Sequence, residues 1–289
     1  MKSKNPYLYN LLVLNIGVLF ISTSGVLGRY IALPPPVSIW FRSLIAILIL
    51  LLYCRYKKFT FKIEWKKYGL AVFCSGFLMA LHWITYFFAL QWSNVAIGML
   101  SLFTYPFITV FLEPLFLPVK LQKRHLFLGI LILFGIYFLV PDFNIQNTST
   151  QGLLIGLFSA VSYSLRNIIL KKSNAMGNES VQMIYQLGVI IILLLPVHWI
   201  YPNIDIRSQW PYLLILGIFT TAVGHTLFLG SFSHFRISTV SIISSIQPLF
   251  GVLLGIFFLS EIPDLKSILG GALILSTVVI ESRSSKPDK

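Results

Sequence analysis

The second half of the chain repeats the first at a constant spacing, and each half contains an odd number of apolar segments. The stretch Pro106–Val140 aligns with Pro248–Ser282 at an offset of 142 residues, without a gap. Further upstream the offset is one residue larger, and this pairs His82 with His225. If each half crosses a membrane an odd number of times, the second copy has to insert in the opposite orientation. The repeat therefore predicts two halves of inverted topology.

The composition places these segments in a lipid bilayer. Hydrophobic residues make up 56% of the 289 residues and charged residues 11%, and the mean hydropathy is +0.83. A soluble domain is nearer half apolar and a quarter charged. Because backbone polar groups in lipid must pair within the chain, we expect helices. The predicted fold class is an all-α integral membrane protein with ten transmembrane helices, at residues 8–30, 37–54, 68–90, 96–117, 126–141, 153–170, 181–201, 211–231, 237–259 and 266–281.

The predicted helices divide into two inverted five-helix repeats. We expect the first repeat at residues 1–141, the second at residues 152–281 and a cytoplasmic tail at residues 282–289. The polar connection between the repeats contains no Lys or Arg, which suits an external loop. The short loops leave no room for a soluble catalytic or regulatory domain.

The distribution of basic residues predicts the orientation. With the N-terminus inside, the inner connections hold 17 of the 22 Lys and Arg residues and the outer ones only Arg207 and Lys266. This asymmetry follows the positive-inside rule and predicts that both termini are cytoplasmic. The net charge of +13 is spread over short clusters, not along one face, which argues against a nucleic-acid partner. We expect a multi-pass protein of the bacterial inner membrane that can exist as a monomer.

Two sequence stretches carry a family resemblance. Phe41 and Arg42 precede a long apolar run, and the segment Phe258–Leu275 reads FLSEIPDLKSILGGALIL. With ten spans in two inverted copies, the chain resembles EamA-type members of the drug/metabolite transporter superfamily. The first repeat departs from the pattern, because Val119 stands where a counterpart of Glu261 is expected. The resemblance implies a ten-helix exporter or importer of small metabolites, with its cavity among the first, third, fourth, sixth, eighth and ninth helices.

The repeat-matched histidines are the first candidates for solute binding. His82 and His225 lie on oppositely directed spans, and imidazole can bind a carboxylate or carry a proton near neutral pH. Trp83 and Tyr86 follow His82 and Phe228 follows His225, which predicts aromatic walls around a solute. The alternative is that the histidines form packing hydrogen bonds between helices and that the aromatic residues face lipid.

Polar residues beside the matched prolines predict a second part of the cavity wall. The fourth span carries Ser101, Tyr105, Thr109 and Glu113 around Pro106, and the ninth carries Ser241, Ser244, Ser245 and Gln247 before the matched proline. A proline removes a backbone donor and favours a kink, which exposes carbonyl groups. The alternative is that these side chains form ordinary hydrogen bonds between helices.

Three charged residues near span ends are candidates for gates. Arg29 is expected near the outer end of the first span, and Arg166 near the inner end of the sixth. Glu113 lies near the same inner end, so an Arg166–Glu113 ion pair could close the inner side. The alternative is that the arginines extend to lipid headgroups. Arg42 is interpreted as structural.

These features favour a secondary transporter that moves an amino acid or related metabolite by alternating access, most simply as an exporter. The alternative is an uptake carrier for a nucleotide-like or other small anionic metabolite. A more remote alternative is an intramembrane lipid-modifying enzyme, but its acid and base groups would have to gather at one depth. We therefore expect no enzyme, no catalytic residue, no cofactor and no metal site. The expected partners are a small solute, membrane lipid and, if the histidines carry protons, a coupling proton.

Overall fold

The structure is a computed structural model that describes residues 6–118, 121, 123–139, 144–172, 178–231, 234–235, 240, 243–244 and 246–284. Every regular element in these ranges is helical. A 3₁₀ turn covers Arg207–Gln209, and a π-helical segment, the π segment, covers Leu216–His225. The α-helices are α1 (Pro6–Tyr30), α2 (Pro35–Tyr56), α3 (Trp65–Trp92), α4 (Val95–Leu102), α5 (Tyr105–Phe116), α6 (Lys123–Leu139), α7 (Thr148–Lys172), α8 (Glu179–Leu193), α9 (Val197–Ile200), α10 (Trp210–Ile215), α11 (Thr226–Ser231), α12 (Gln247–Leu259) and α13 (Leu265–Ser284).

Several of these helices, alone or joined end to end, form stretches that are long and apolar enough to cross a membrane. The described part of the chain contains 7 such stretches, at Tyr7–Tyr30, Pro35–Tyr56, Trp65–Trp92, Val95–Phe116, Thr148–Lys172, Glu179–Ile200 and Arg207–Ser231. Two shorter apolar helices cover Gln247–Leu259 and Leu265–Ile280. The predicted all-α integral membrane class is confirmed, whereas the ten-helix count stays a prediction.

The fourth predicted span is not one continuous helix. The fourth span is two helices, since α4 ends at Leu102 and α5 begins at Tyr105, with Pro106 in its first turn. Proline has no backbone N–H to donate, so the start of a helix is the position where it costs least. Asn94 starts α4, because its Oδ1 accepts a hydrogen bond from the backbone N of Ile97 at 2.8 Å.

The helix starts keep the register of the sequence repeat. The helices α1 and α7 both contain 25 residues, and their first residues, Pro6 and Thr148, are 142 positions apart. The first residues of α5 and α12 differ by the same number, as do those of α6 and α13. The two halves therefore have the same helix pattern over these elements.

The helix α3 occupies the middle of the bundle and packs most extensively on α7. On the opposite side, α1 packs on the π segment and on α12. The helices α2 and α8 pack on one another, as do α6 and α13. The largest apolar cluster surrounds α3 and includes Met79, Trp83 and Phe87, each almost completely buried.

Glycine residues on α7 allow its close approach to α3 and α4. A Cβ atom on Gly152 would lie 2.8 Å from Cβ of Ser93, and one on Gly156 would lie 2.9 Å from Cβ of Ser101. Both distances are too short for van der Waals contact. This spacing is the small-xxx-small pattern of close membrane helix pairs.

We expect opposite effects from alanine at two glycines that both lie inside helices. Gly156→Ala should lower the stability by about 1–3 kcal/mol, because its methyl group overlaps Ser101. Gly188→Ala should raise the stability by up to about 1 kcal/mol, because nothing lies within 4 Å of its Cβ and alanine favours a helix. Thermal unfolding of the purified protein in detergent measures both. Equal stabilisation by the two changes would contradict the close contact.

Candidate functional site

A cavity in the middle of the bundle has an empty volume of about 450 Å³, including space open to the outside. It lies among α1, α3, α4, α5, α7, the π segment and α12, which are the elements that correspond to the six spans implied by the resemblance. The side chains around it are mainly aromatic, with two imidazoles and few other polar groups. They belong to Ile21, Ser24, His82, Trp83, Tyr86, Met99, Leu102, Phe103, Tyr105, Tyr163, His225 and Gln247.

Three pairs of these lining residues are related by the sequence repeat. Tyr105 and Gln247 are separated by 142 positions, and so are Ile21 and Tyr163. His82 and His225 are separated by 143. Equivalent positions of the two halves thus face the same space.

The hydrogen bonds of His82 define which of its ring nitrogens carries the proton. The hydroxyl of Ser159 on α7 donates to the backbone oxygen of His82 at 2.8 Å. Because this hydroxyl has one proton, its oxygen must accept the hydrogen bond from His82 Nδ1, also 2.8 Å away. Neutral His82 therefore has its proton on Nδ1, and Nε2 is an acceptor. The ring also stacks on Tyr163, with centroids 4.5 Å apart.

His225 is oriented from the other side. Its Nε2 lies 3.4 Å from Nη2 of Arg42, which can only donate. Nε2 of His225 must therefore be unprotonated, and the proton of the neutral ring is on Nδ1. The ring lies beside Trp83, with centroids 5.4 Å apart. Proton uptake by His225 would place two positive charges together inside the protein, which argues against the predicted role of this residue as a proton carrier.

Arg42 is completely buried behind the cavity wall, where sequence reasoning assigned it a structural role. Its guanidinium carbon lies 3.9 Å from the centre of the Trp83 ring, a cation–π contact. Nε donates to Thr221 Oγ1 at 2.6 Å. Among the described residues Nη1 has no hydrogen-bond partner. Arg42 therefore contacts two lining residues, Trp83 and His225, and its partners are neutral.

The π segment holds His225 and Thr221 in place. Its backbone hydrogen bonds span five residues, and Thr221 Oγ1 donates to the carbonyl oxygen of Leu216 at 2.8 Å, again five residues away. Such wide turns within α-helices are frequent at functional sites. The sequence analysis missed this element, because a π-helix has no residue pattern of its own.

The predicted ion pair between Arg166 and Glu113 is wrong. Arg166 is buried and donates from Nε and Nη2 to Oε1 of Gln186, at 3.0 and 2.8 Å. Glu113 instead accepts from Nζ of Lys171 at 2.8 Å. Arg166 thus has a neutral partner on α8, whereas the Lys171–Glu113 pair joins α7 to α5.

Arg29 forms an ion pair that sequence reasoning did not anticipate. Its Nε lies 2.7 Å from Oε1 of Glu261, and its Nη1 donates to the carbonyl oxygen of Gln91 at 2.7 Å. Oε2 of Glu261 accepts from the backbone N of Val95 at 2.9 Å, at the start of α4. Glu261, on the α12–α13 connection, thereby joins that connection to the end of α1 and to the start of α4.

Five of the predicted binding residues line the cavity: His82, Trp83, Tyr86, Tyr105 and His225. Ser101 is not among the lining residues; it is fully buried between α4 and α7, with its hydroxyl bonded to the carbonyl oxygen of Gly98. Phe228 packs in a separate apolar cluster with Leu14 and Val18. Ser241 and Ser245 lie outside the described residues. Gln247, predicted with the polar residues before Pro248, also lines the cavity, at the position matched to Tyr105. The sequence analysis missed Tyr163, which the repeat offset identifies as the partner of Ile21.

Comparisons with known proteins give a family and a shared fold. A model of the EamA-like transporter family matches the chain twice, at residues 8–140 and 150–282. The Pseudopaline exporter CntI of Pseudomonas aeruginosa is 25% identical over 258 residues, 88% of this chain and 88% of that protein. An uncharacterized transporter of Archaeoglobus fulgidus is 28% identical over 215 residues, 74% of this chain and 75% of that protein. One solved crystal structure has the same fold, with a TM-score of 0.68 at 17% identity, covering 94% of this chain and 96% of that chain.

Removing the hydroxyl that binds Arg42 should destabilise the protein. Thr221→Val leaves Nε of Arg42 buried without its partner, which should cost about 1–3 kcal/mol. Thr85→Val is the matched control, because the Thr85 hydroxyl bonds only backbone oxygens of its own helix. Thermal unfolding in detergent compares the two variants. If Thr85→Val is as destabilising as Thr221→Val, the Arg42 contact contributes nothing beyond helix packing.

Proposed function

Because the chain belongs to the EamA-like transporter family, we propose that it is a secondary transporter that binds one small metabolite in the central cavity and moves it by alternating access. Membership of this family makes it a membrane transporter of small molecules and not an enzyme. The observation that carries the mechanism is the lining of the cavity by repeat-matched residues. A site at the interface of two related halves can open to either side as one half moves against the other.

The proposed halves are inverted five-helix repeats at residues 1–141 and 152–281. Three observations support them: the family model matches each half, the helix starts share one offset, and the packing is paired. The contact of α3 with α7 has its counterpart in the contact of the π segment with α1. The contact of α2 with α8 and that of α6 with α13 each join equivalent helices of the two halves. Exchanging the halves therefore leaves these contacts unchanged, as expected for two-fold symmetry.

Two ion pairs are proposed as gates at opposite ends of the cavity. Arg29 and Lys171 are separated by 142 positions, and each lies in the last turn of its helix, α1 or α7. Arg29 pairs with Glu261 and Lys171 with Glu113, so each pair joins one half to the other. With the N-terminus in the cytoplasm, the Arg29 pair would close the outer side and the Lys171 pair the inner side.

The proposed direction is export of an amino acid or related metabolite. It is supported by the similarity to a protein named for the export of pseudopaline. The alternative of uptake of a small anionic metabolite uses the same cavity, because alternating access operates in both directions. Proton coupling through the histidines is not included in the proposal, since Nε2 of His225 accepts a hydrogen bond from Arg42.

We expect the purified protein to transport a solute without ATP. Binding should raise the apparent melting temperature of the detergent-solubilised protein by mass action, so amino acids, hydroxy acids, nucleotides and sugars are screened in this way. Solutes that stabilise the protein are then tested for flux into liposomes. Flux should fall in His225→Phe, and protein-free liposomes and Gly188→Ala are the controls. A stabilising solute that is altered chemically but never transported would contradict the proposal.

The direction of transport is determined in the source organism. Deleting the gene should raise the intracellular level of the solute if the protein is an exporter. A lower level after deletion would favour the uptake alternative.

The ion pairs predict side-specific opening. Ser24, a lining residue, is replaced by cysteine after Cys54 and Cys74 are changed to serine. Arg29→Gln should speed labelling of Cys at position 24 by an impermeant maleimide from the outer face, by up to about fivefold, since a partly exposed ion pair contributes up to about 1 kcal/mol. Lys171→Gln should do the same from the inner face.

The control exchanges the charges of the outer pair in the double variant Arg29→Glu, Glu261→Arg. It should slow labelling only part of the way toward the original rate, because the exchanged side chains cannot form the hydrogen bonds of Arg29 to Gln91 and of Glu261 to Val95. Single cysteines at Lys57 and Gln146 calibrate the inner and outer faces of the vesicles. Acceleration from the same face by both single variants would contradict the assignment of the two pairs to opposite gates.

A further inference from the structure

The two matched histidines present opposite hydrogen-bonding atoms to the cavity. Ser159 holds His82 with its proton on Nδ1, so the remaining nitrogen, Nε2, is an acceptor. Arg42 occupies Nε2 of His225, so the remaining nitrogen, Nδ1–H, is a donor. In both cases the proton is on Nδ1, but different nitrogens are left for a solute. Residues that look equivalent in the sequence are therefore chemically complementary in the structure.

The wall around this pair carries positive charge without acidic partners. Arg42 lies behind Trp83, and the guanidinium carbon of Arg166 lies 5.8 Å from the ring centre of Tyr163. Both arginines are buried, and the side chains that they bind are those of Thr221, His225, Gln186 and Asn167, all neutral. Among the described residues, none that lines the cavity is acidic. A buried charge is costly unless an opposite charge approaches it.

We propose that the cavity selects a small anion that carries a carboxylate at one end and a hydroxyl or amide donor beside it. The carboxylate accepts from Nδ1–H of His225, near Arg42, and the donor group binds Nε2 of His82. Arg42 is a positioning residue, because it holds His225 as a donor and supplies charge from behind the wall. This inference rests on the proposed function and specifies its substrate class.

The aromatic lining defines the remainder of the solute. Trp83, Tyr86, Tyr105 and Tyr163 surround the space between the histidines and would pack against an apolar group. An ammonium group is disfavoured, because it would lie in the field of two guanidinium groups. Within the proposed class of amino acids and related metabolites, the inference therefore favours the related acids without an ammonium group over free amino acids. Hydroxy acids and N-acyl amino acids with an apolar side chain satisfy all of these requirements. Amines without a carboxylate lack the anionic group and are repelled, as cations, by the two arginines.

The first test needs no solute. Nitrogen NMR of the full-length protein, labelled with ¹⁵N in its imidazole rings, distinguishes protonated from unprotonated ring nitrogens. His82→Gln and His225→Gln assign the signals. We expect a neutral ring with its proton on Nδ1 at both positions. Arg42→Met should release His225 into a mixture of tautomers and leave His82 unchanged, and Ser159→Ala should do the converse. A doubly protonated ring, or a proton on Nε2 at either position, would overturn the inference.

The second test measures binding of three matched probes to the purified protein by calorimetry. 3-Phenyllactate has both polar groups, 3-phenylpropanoate lacks the hydroxyl, and phenylalaninamide lacks the carboxylate and is a cation. We expect phenyllactate to bind most tightly. Loss of the hydroxyl should weaken binding by up to about tenfold, and loss of the carboxylate by about ten- to a hundredfold, which are the ranges for hydrogen bonds to neutral and charged groups.

The variants assign each group to its histidine. His82→Phe should abolish the difference between phenyllactate and phenylpropanoate, whereas His225→Phe should weaken both acids by about ten- to a hundredfold. Phenylalaninamide binding as tightly as phenyllactate, or no binding of either acid, would overturn the inference. An acid that binds in this order but is not moved across liposome membranes would leave the inference intact and contradict the proposed function instead.

Discussion

The close approach of α3 and α7 is the contact on which the cavity depends. Gly152 and Gly156 leave α7 without side chains where it meets α3 and α4, so the backbones approach closely. At that separation the Ser159 hydroxyl reaches both the backbone and the ring of His82. In lipid, where apolar surface gives little drive for association, such packing and hydrogen bonding hold helices together. The same contact stacks Tyr163 on the imidazole and so builds one wall of the cavity.

The opposite wall is built around a buried guanidinium group instead of a close backbone contact. Arg42 connects α2 to the π segment through Thr221 and to α3 through the face of Trp83. A lysine could not replace this arrangement, because the contacts use the planar, forked shape of the arginine group. One imidazole is thus held by a hydroxyl and the other by a cation, and this difference gives the cavity its polarity.

The sequence predicted the helical class, the matched histidines and most of the aromatic wall, because these depend on composition and on register. It also predicted Gln247, and the same register applied to Ile21 would have identified Tyr163. It could not predict the partners of the charged residues. Arg166 bonds to Gln186, and Glu113 to Lys171, because of how α7 lies against α8 and α5. Such pairings depend on distances between helices, which hydropathy and spacing do not contain.

The π segment accounts for an irregularity in the repeat. The first residues of α7, α12 and α13 follow those of α1, α5 and α6 by 142 positions, but the histidines differ by 143, so the second half has one extra residue before His225. In an ordinary α-helix an insertion turns everything beyond it by about 100°. A π-helix holds more residues in each turn and absorbs the extra one. His225 therefore still lines the same cavity as His82, although one extra residue in an ordinary α-helix would have turned its ring away.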